Sequence, residues 1–194
     1  MTGLAGMTRY LWVLRHGKAV GNAPAGGGDK ERPLTARGRR DAAALGHRLA
    51  AGVGVFGLDD VPLPQMVLCS SAVRTRQTAD LVLEAMGADI PLESLHSLYG
   101  ATPDTVLGYL RELDDKATSA MLVGHNPTHY QLAWQLLAPA ADGAEGNQDG
   151  GDRSILQNHG FPTCSLAVVG LPLASWAEVE EGRGSLAGVF SPPY

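Results

Sequence analysis

The sequence predicts an α/β protein built around a layered sheet. Three observations predict it: short apolar runs alternate with amphipathic stretches, those stretches carry a helical period, and Pro, Gly and Thr punctuate the boundaries between them.

Tyr10 to Leu14, Gln65 to Cys69 and Ala120 to Val123 are each short, apolar and closed by polar residues or glycine, the pattern of strands buried on both faces. Between them apolar residues recur at i, i+3, i+4 and i+7. Ala42, Leu45, Gly46 and Leu49 form one stripe, Ala79, Val82, Leu83 and Met86 a second, and His129, Leu132, Ala133 and Leu136 a third. A stripe of that period lies along one side of a helix, so each helix has a face with which to cover a sheet. Thr35, after Pro33-Leu34, is placed to cap the first helix through its hydroxyl. Pro103 and Pro127 suit first turns, where a missing N–H costs nothing. Later, Ser165 to Leu171 and Trp176 to Val179 read as two further strands, antiparallel neighbours of each other. No internal repeat is visible.

A chain of 194 residues suits one domain with one sizeable core, spanning 1–194. Its 44% apolar and 18% charged residues are those of an ordinary globular protein. A net charge of −5 with no long basic run argues against a nucleic-acid or membrane-surface partner, yet leaves room for an anion in a locally positive pocket. Cys69 and Cys164 each sit in an apolar run and read as buried free thiols of a reducing compartment. Residues 1–8 lack the basic region and apolar core of a secretory signal and read as a disordered leader, with Met7 as an alternative start. No apolar run is long enough to span a bilayer, so the expectation is a cytoplasmic protein. Residues 21–28, rich in Gly and Ala, are loop. Residues 139–158 read as a flexible surface insertion, with a lid over the site as the other option, because 139–152 holds four Gly and four acidic residues.

The chemistry gathers where the buried strands end. Arg15-His16-Gly17 follows the first, Ser70 to Arg74 the second, and Gly124-His125-Asn126 the third. Ligand sites in open α/β sheets form beyond the carboxyl ends of strands. Cations are rarely buried without a partner, and a dianionic phosphoryl group would pair with all of these. The guanidinium forks of Arg15 and Arg74 match phosphate oxygens. His16 is the candidate nucleophile: neighbouring arginines favour its neutral form, and attack on phosphorus would give a phosphohistidine intermediate. His125 is the candidate for stabilising charge on the transferring group.

Leu14-Arg15-His16-Gly17-Lys18-Ala19 is similar to the Arg-His-Gly signature of the histidine phosphatase superfamily, the phosphoglycerate mutase-like fold. Arg32-Pro33-Leu34-Thr35 with Gly38, Ser70-Ser71-Ala72-Val73-Arg74 with Gln77-Thr78, and Gly124-His125-Asn126-Pro127 follow in that family's order. With Phe161-Pro162-Thr163 they resemble its small SixA-type phosphohistidine phosphatase branch. The resemblance implies a three-layer sandwich, with a mostly parallel central sheet of about five or six strands and helices on both sides. It implies a pocket of Arg15, His16, Arg74 and His125, with His16 phosphorylated in turnover. Asn22, six residues after His16, stands where mutase-type members carry a phosphate-contacting Asn, and is the remaining phosphate-binding candidate.

One departure bears on the substrate. Larger members place an acid after a middle strand to protonate the leaving oxygen. Here the matching stretch, 98–104, offers only Asp104, which reads as an early helix-turn residue favoured by the helix dipole. That lack is typical of the SixA-type branch and leans toward phosphohistidine, whose imidazole can be protonated beforehand.

Other signals carry less. His125 and His129 are four apart, but Pro127 between them keeps them off one helical face, so no zinc site is read and His129 is taken as a core histidine. His47 and His96 read as surface residues without partners, and His159 as a candidate for the pocket's edge. Gly26-Gly27-Gly28 lacks the Lys-Ser/Thr ending of a phosphate loop. The expectation is therefore a metal-independent phosphatase without a cofactor, working through His16, with a phosphorylated protein carrying phosphohistidine as its partner. A small phosphorylated metabolite, sugar phosphate or nucleotide, is the alternative substrate, and a phosphate-binding module without catalysis a third reading.

Overall fold

The computed structural model describes residues 7–52, 57–139 and 151–194. Among these residues six strands and five α-helices follow one another as β1 (Arg9–Arg15), α1 (Ala36–Ala50), β2 (Met66–Ser70), α2 (Val73–Met86), β3 (Leu92–Leu95), α3 (Pro103–Arg111), β4 (Ser119–Gly124), α4 (Thr128–Leu136), α5 (Asp152–His159), β5 (Leu166–Leu171) and β6 (Ser185–Phe190). The sheet has the order β3-β2-β4-β1-β5-β6. The first four strands in that order are parallel, whereas β5 runs antiparallel to β1, and β6 antiparallel to β5. The three-layer, mostly parallel arrangement expected from the sequence is what forms.

Strand alternation divides the core in two. Leu11 and Val13 of β1 join Leu122 of β4 on one face, beneath Leu107 and Leu110 of α3, Leu132 and Leu136 of α4, and Leu156 of α5. Trp12 and Leu14 join Met121 and Val123 on the other, beneath Leu45 and Leu49 of α1 and Ala79 and Val82 of α2. The two stripes read in α1 and α2 are therefore core faces, as is that of α4. Thr35 caps α1, its Oγ1 accepting from the Gly38 N–H at 3.0 Å, and Pro103 opens α3 behind the capping Thr102. Pro127 takes the capping position just ahead of α4 rather than a place in its first turn.

Three expectations need correction, and one strand is added. Trp176 to Val179 is not a strand: Trp176–Glu178 is a 3₁₀ turn, and the indole is buried, its Nε1–H donating to the Ala117 carbonyl at 2.6 Å. The antiparallel neighbour of β5 is β6, whose half-exposed residues alternate weakly. β3 has no signature in the sequence, because an edge strand of sequence Leu-Glu-Ser-Leu has little to bury. The 139–158 stretch is not all loop. α5 docks through buried Leu156, its Asp152 Oδ2 accepts from the Leu186 N–H at 2.6 Å, and Arg153 Nε donates to the Leu137 carbonyl at 2.9 Å. Residues 140–150 lie outside the described residues, as do residues 1–6 of the expected leader; Met7 and Thr8 are exposed and precede β1. Among the described residues no helix is long and apolar enough to cross a membrane.

Helices α1 and α2 meet at Gly46. A Cβ there would stand 2.4 Å from the Val82 carbonyl oxygen and 2.6 Å from the Ala85 Cβ, so the close approach requires glycine. Gly46→Ala is expected to lower stability by about 1–3 kcal/mol through overpacking, despite alanine's better helix propensity. Urea unfolding checks it: an unchanged or raised midpoint means that the two helices separate at no cost.

Candidate active site

Because β1, β2 and β4 are parallel, their carboxyl ends open on one edge of the sheet. Arg15 ends β1 beside Gly124, the last residue of β4. The next residue, His16, is fastened by its backbone: its N–H donates to the Gly124 carbonyl and its carbonyl accepts from the Cys164 N–H, each at 3.0 Å. The Gly17 N–H donates to Thr78 Oγ1 at 3.0 Å and the Leu34 N–H to Gln77 Oε1 at 2.8 Å, which gives the Gln77-Thr78 pair its task. The amino end of α1 presses on the same loop. A Cβ at Gly38 would fall 2.2 Å from the Lys18 carbonyl oxygen, so only glycine permits the contact.

These segments enclose a cavity of about 500 Å³ in which Arg15, His16, Arg74 and His125 come together with Arg32 and Tyr99. The two imidazoles lie 5.3 Å apart, centroid to centroid. His16 Nδ1 is 2.8 Å from the Gly17 carbonyl oxygen, which can only accept, so Nδ1 carries the hydrogen and Nε2 keeps its lone pair. His125 has the opposite tautomer. Its Nδ1 faces Arg74 Nη2 at 3.4 Å, a group that can only donate, and its Nε2–H donates to Ser70 Oγ at 2.8 Å. Burial, then the nearby Arg74, Arg15 and Arg32, push His16 down to about 4, although its bond to Gly17 opposes them. Burial, His16 and Arg74 push His125 down to about 3. Both rings are neutral at neutral pH.

The arginines are held from one side only. Arg15 Nη1 donates to the Phe161 carbonyl at 2.8 Å, and that carbonyl also accepts from Asn126 Nδ2 at 3.2 Å. Phe161 adopts φ 45°, a left-handed conformation uncommon outside glycine, and thereby anchors two residues of the cavity wall. Arg74, 5% exposed, donates from Nη1 to the Asp29 carbonyl at 2.8 Å and from Nη2 to Asp29 Oδ2 at 3.0 Å. The Nε atoms of Arg15 and Arg74 are buried with no hydrogen-bond partner among the described residues. Both side chains line the cavity, where a phosphoryl group would meet their positive charge.

Asn22 is not part of this arrangement. It is exposed and lines a separate shallow hollow formed by residues 21–29 and Arg32, so the loop carries it away from the cavity. Asp104 is exposed on the first turn of α3, also off the cavity wall. His159 stays outside too, its Nδ1 accepting from the Phe161 N–H at 3.3 Å. His96 is not partnerless: Lys30 Nζ donates to its Nε2 at 2.7 Å. His129 is a core histidine, 2% exposed, with neither ring nitrogen hydrogen-bonded among the described residues. Sequence reasoning missed the roles of Asp29, Tyr99 and Arg32 as site-forming groups. Only Arg32 had a signal, its place in the Arg-Pro-Leu-Thr block. Among the described residues no carboxylate lines the cavity, and no cluster of three His, Cys, Asp or Glu is arranged to hold a metal ion.

The neutral histidines make stability depend on pH. Folding holds His16 at about 4, and His125 and His129 at about 3, against about 6.5 in an unfolded chain. Between those values the unfolded chain binds protons that the folded protein refuses. Their stabilisation is therefore complete above about pH 6.5 and is lost as pH falls toward the folded values. Urea midpoints measured from pH 7.5 to 5 are expected to fall, before carboxylates titrate appreciably, and His129→Gln is expected to lessen the slope by up to about 1.4 kcal/mol per pH unit. A midpoint flat across that window contradicts the assignment.

Residues 11–99 match the family model of the histidine phosphatase superfamily (branch 1). An uncharacterised protein of Mycobacterium tuberculosis is 34% identical over 181 residues, covering 92% of this chain and 99% of the relative. Among solved structures, a protein assigned as the phosphohistidine phosphatase SixA of Nakamurella multipartitia superposes with a TM-score of 0.77 at 27% identity, covering 98% of this chain and 99% of the other. One with the same assignment from Agrobacterium tumefaciens gives 0.67 at 27% identity, covering 95% and 99%. With the Arg-His-Gly turn, the second arginine and the second histidine converging at the strand ends, the chain belongs to the histidine phosphatase superfamily and stands with its SixA-type branch.

Proposed function

We propose that the chain is a metal-independent phosphatase that removes the phosphoryl group from protein phosphohistidine through a phosphohistidine intermediate on His16. One observation carries the choice of substrate: three arginines and two neutral histidines line the cavity, and among the described residues no carboxyl group does.

The balance of protons explains why that matters. A phosphohistidine protonated on its second ring nitrogen presents a cationic imidazole as leaving group. His16 Nε2 attacks phosphorus as the substrate's P–N bond breaks, and the released imidazole is neutral. His16, still carrying Nδ1–H against the Gly17 carbonyl, takes the positive charge. No proton changes hands, so no general acid is needed. Water then attacks phosphorus, the P–Nε2 bond breaks, and both hydrogens of the water leave with orthophosphate. An alkyl phosphomonoester differs, because its alkoxide needs a proton, and among the described residues no carboxyl group lines the wall to give it.

Arg15, Arg32 and Arg74 supply positive charge for the phosphoryl oxygens, which leaves a divalent cation no task there. His125, its ring centroid 5.3 Å from that of His16, stabilises charge on the transferring group once an incoming anion raises its proton affinity. The buried thiols of Cys69 and Cys164, both pushed up to about 12 by burial, suit a reducing cytoplasm.

The test compares a phosphohistidine peptide, a phosphoserine peptide, a nucleotide and a sugar phosphate, with and without EDTA. Preference for the phosphohistidine peptide, unaffected by EDTA, is expected. His16→Ala should abolish turnover while keeping the fold, and acid-labile, alkali-stable phosphate should be trapped on the wild type alone. Arg74→Ala and His125→Ala should each lower kcat about 10²–10³-fold. Turnover surviving in His16→Ala removes the nucleophile assignment. Preference for the sugar phosphate or nucleotide moves the reading to a metabolite phosphatase.

A further inference from the structure

The short turn Asp29–Glu31, between the His16 loop and α1, holds the most connected carboxylate at the site. Asp29 Oδ2 accepts from Arg74 Nη2 at 3.0 Å and from the Tyr99 hydroxyl at 2.6 Å. Its Oδ1 accepts from Arg32 Nε at 2.7 Å and lies 2.7 Å from Arg32 Nη2. Its backbone carbonyl takes a third bond from the pair of arginines, from Arg74 Nη1 at 2.8 Å. All three partners line the cavity, and Asp29 stands just outside it. The geometry is therefore that of an anchor: one carboxylate gripping, from the solvent side, two guanidinium groups that face a phosphoryl site.

Two consequences follow from elementary chemistry. The first concerns direction. Arginine is long and loses considerable rotamer freedom when fixed. Of Arg74's five N–H bonds, two go to Asp29 and a third faces His125, which leaves Nε–H and one Nη1–H for another acceptor. The Nε atom is buried out of a ligand's reach, so the anchor on Nη1 and Nη2 leaves the second Nη1–H as the bond that can meet a phosphoryl oxygen. The second concerns charge. Three guanidinium groups converging on one cavity would hold a dianion tightly, the product orthophosphate included. A carboxylate between two of them opposes that hold. The Tyr99 bond and the flanking arginines keep Asp29 ionised, with its pKa at about 2.

We propose that Asp29 is a positioning residue, an internal counter-anion that orients Arg74 and Arg32 for phosphoryl transfer and weakens their hold on the phosphate product. The proposal rests on the reading of the cavity as a phosphoryl-transfer site and adds to it how that site releases its product.

A carboxylate with these two tasks predicts that two measured quantities move in opposite senses. In Asp29→Asn, kcat for the phosphohistidine peptide is expected to fall about 10- to 100-fold, because the arginines are no longer aimed. Inhibition by orthophosphate is expected to strengthen about 3- to 10-fold, because an opposing charge has gone. Asp29→Glu should recover part of both changes. Tyr99→Phe keeps the carboxylate and removes one of its bonds, so it should lower kcat modestly without the strengthened orthophosphate inhibition of Asp29→Asn. If orthophosphate weakens together with kcat in Asp29→Asn, the residue merely supports the loop and the proposal is overturned; unchanged values of both overturn it as well. A wild type that neither binds orthophosphate nor turns over a phosphoryl donor overturns instead the phosphatase reading itself, so the two failures are told apart.

Discussion

Holding two guanidinium groups beside two uncharged imidazoles, with their Nε atoms buried and lacking acceptors among the described residues, is the arrangement on which the rest of this molecule depends. Each part is unfavourable alone. A buried guanidinium N–H without an acceptor forgoes a hydrogen bond that water would have made. A histidine held at about 3 or 4 has given up the protonation that an exposed imidazole retains in mild acid. Such a cluster persists only if the surrounding structure over-determines it, and here nearly every neighbouring element contributes a tether. The Gly124 and Cys164 backbones hold His16, Thr78 of α2 holds Gly17, the Phe161 carbonyl holds Arg15, and Asp29 holds Arg74.

The fold is arranged around that requirement. Four parallel strands bring β1, β2 and β4 to a common edge, whereas the antiparallel pair β5 and β6 extends the sheet without crossing it. The loop just before β5 returns to the active edge, because β5 starts where β1 ends: Leu14 pairs with Leu166. Antiparallel pairing thus places Phe161 and Cys164 beside His16, which a parallel β5 would have carried to the opposite end. On the other side, α1 and α2 pack closely enough at Gly46 for the amino end of α1 to meet the His16 loop at Gly38. Close packing between helices and the position of His16 are parts of one construction.

Much of this was legible in the sequence, for identifiable reasons. Buried strands β1, β2 and β4 announce themselves as unbroken apolar runs because both of their faces are covered. Arg15, His16, Arg74 and His125 stood out because a cation following such a run has no packing explanation. Elements that failed to announce themselves are those whose stability comes from a single side. β3 is a polar edge strand, β6 is half-exposed, and α5 buries only Leu156 among residues that otherwise resemble loop. Trp176 misled because an apolar residue beside an acidic one looks like a strand; here it plugs the end of the sheet opposite the cavity, under the Arg9 guanidinium 5.6 Å from its ring. Asn22 misled through spacing, since a loop's length does not tell where its side chains lie. Asp29 escaped notice for a related reason: an aspartate in a glycine-rich loop has no local pattern, and its partners Arg32, Arg74 and Tyr99 are brought to it only by the tertiary fold.

The tautomers at the cavity follow from donors and acceptors alone, and they distinguish the two histidines more sharply than position does. A carbonyl beneath His16 obliges Nδ1 to keep its hydrogen and frees Nε2, whereas a guanidinium beside His125 obliges Nδ1 to remain an acceptor and turns Nε2–H toward Ser70. One ring therefore offers a lone pair while the other has its polar edges engaged. Exchanging the two residues' roles would require exchanging a backbone carbonyl with an arginine, which no rotation of side chains accomplishes. The asymmetry also limits the chemistry open to the site. A nucleophile that retains its Nδ1–H becomes cationic when phosphorylated, and a cationic imidazole is itself a good leaving group. In the proposed reaction His16 therefore leaves phosphorus on the same terms as the substrate's histidine, a neutral imidazole departing in both steps.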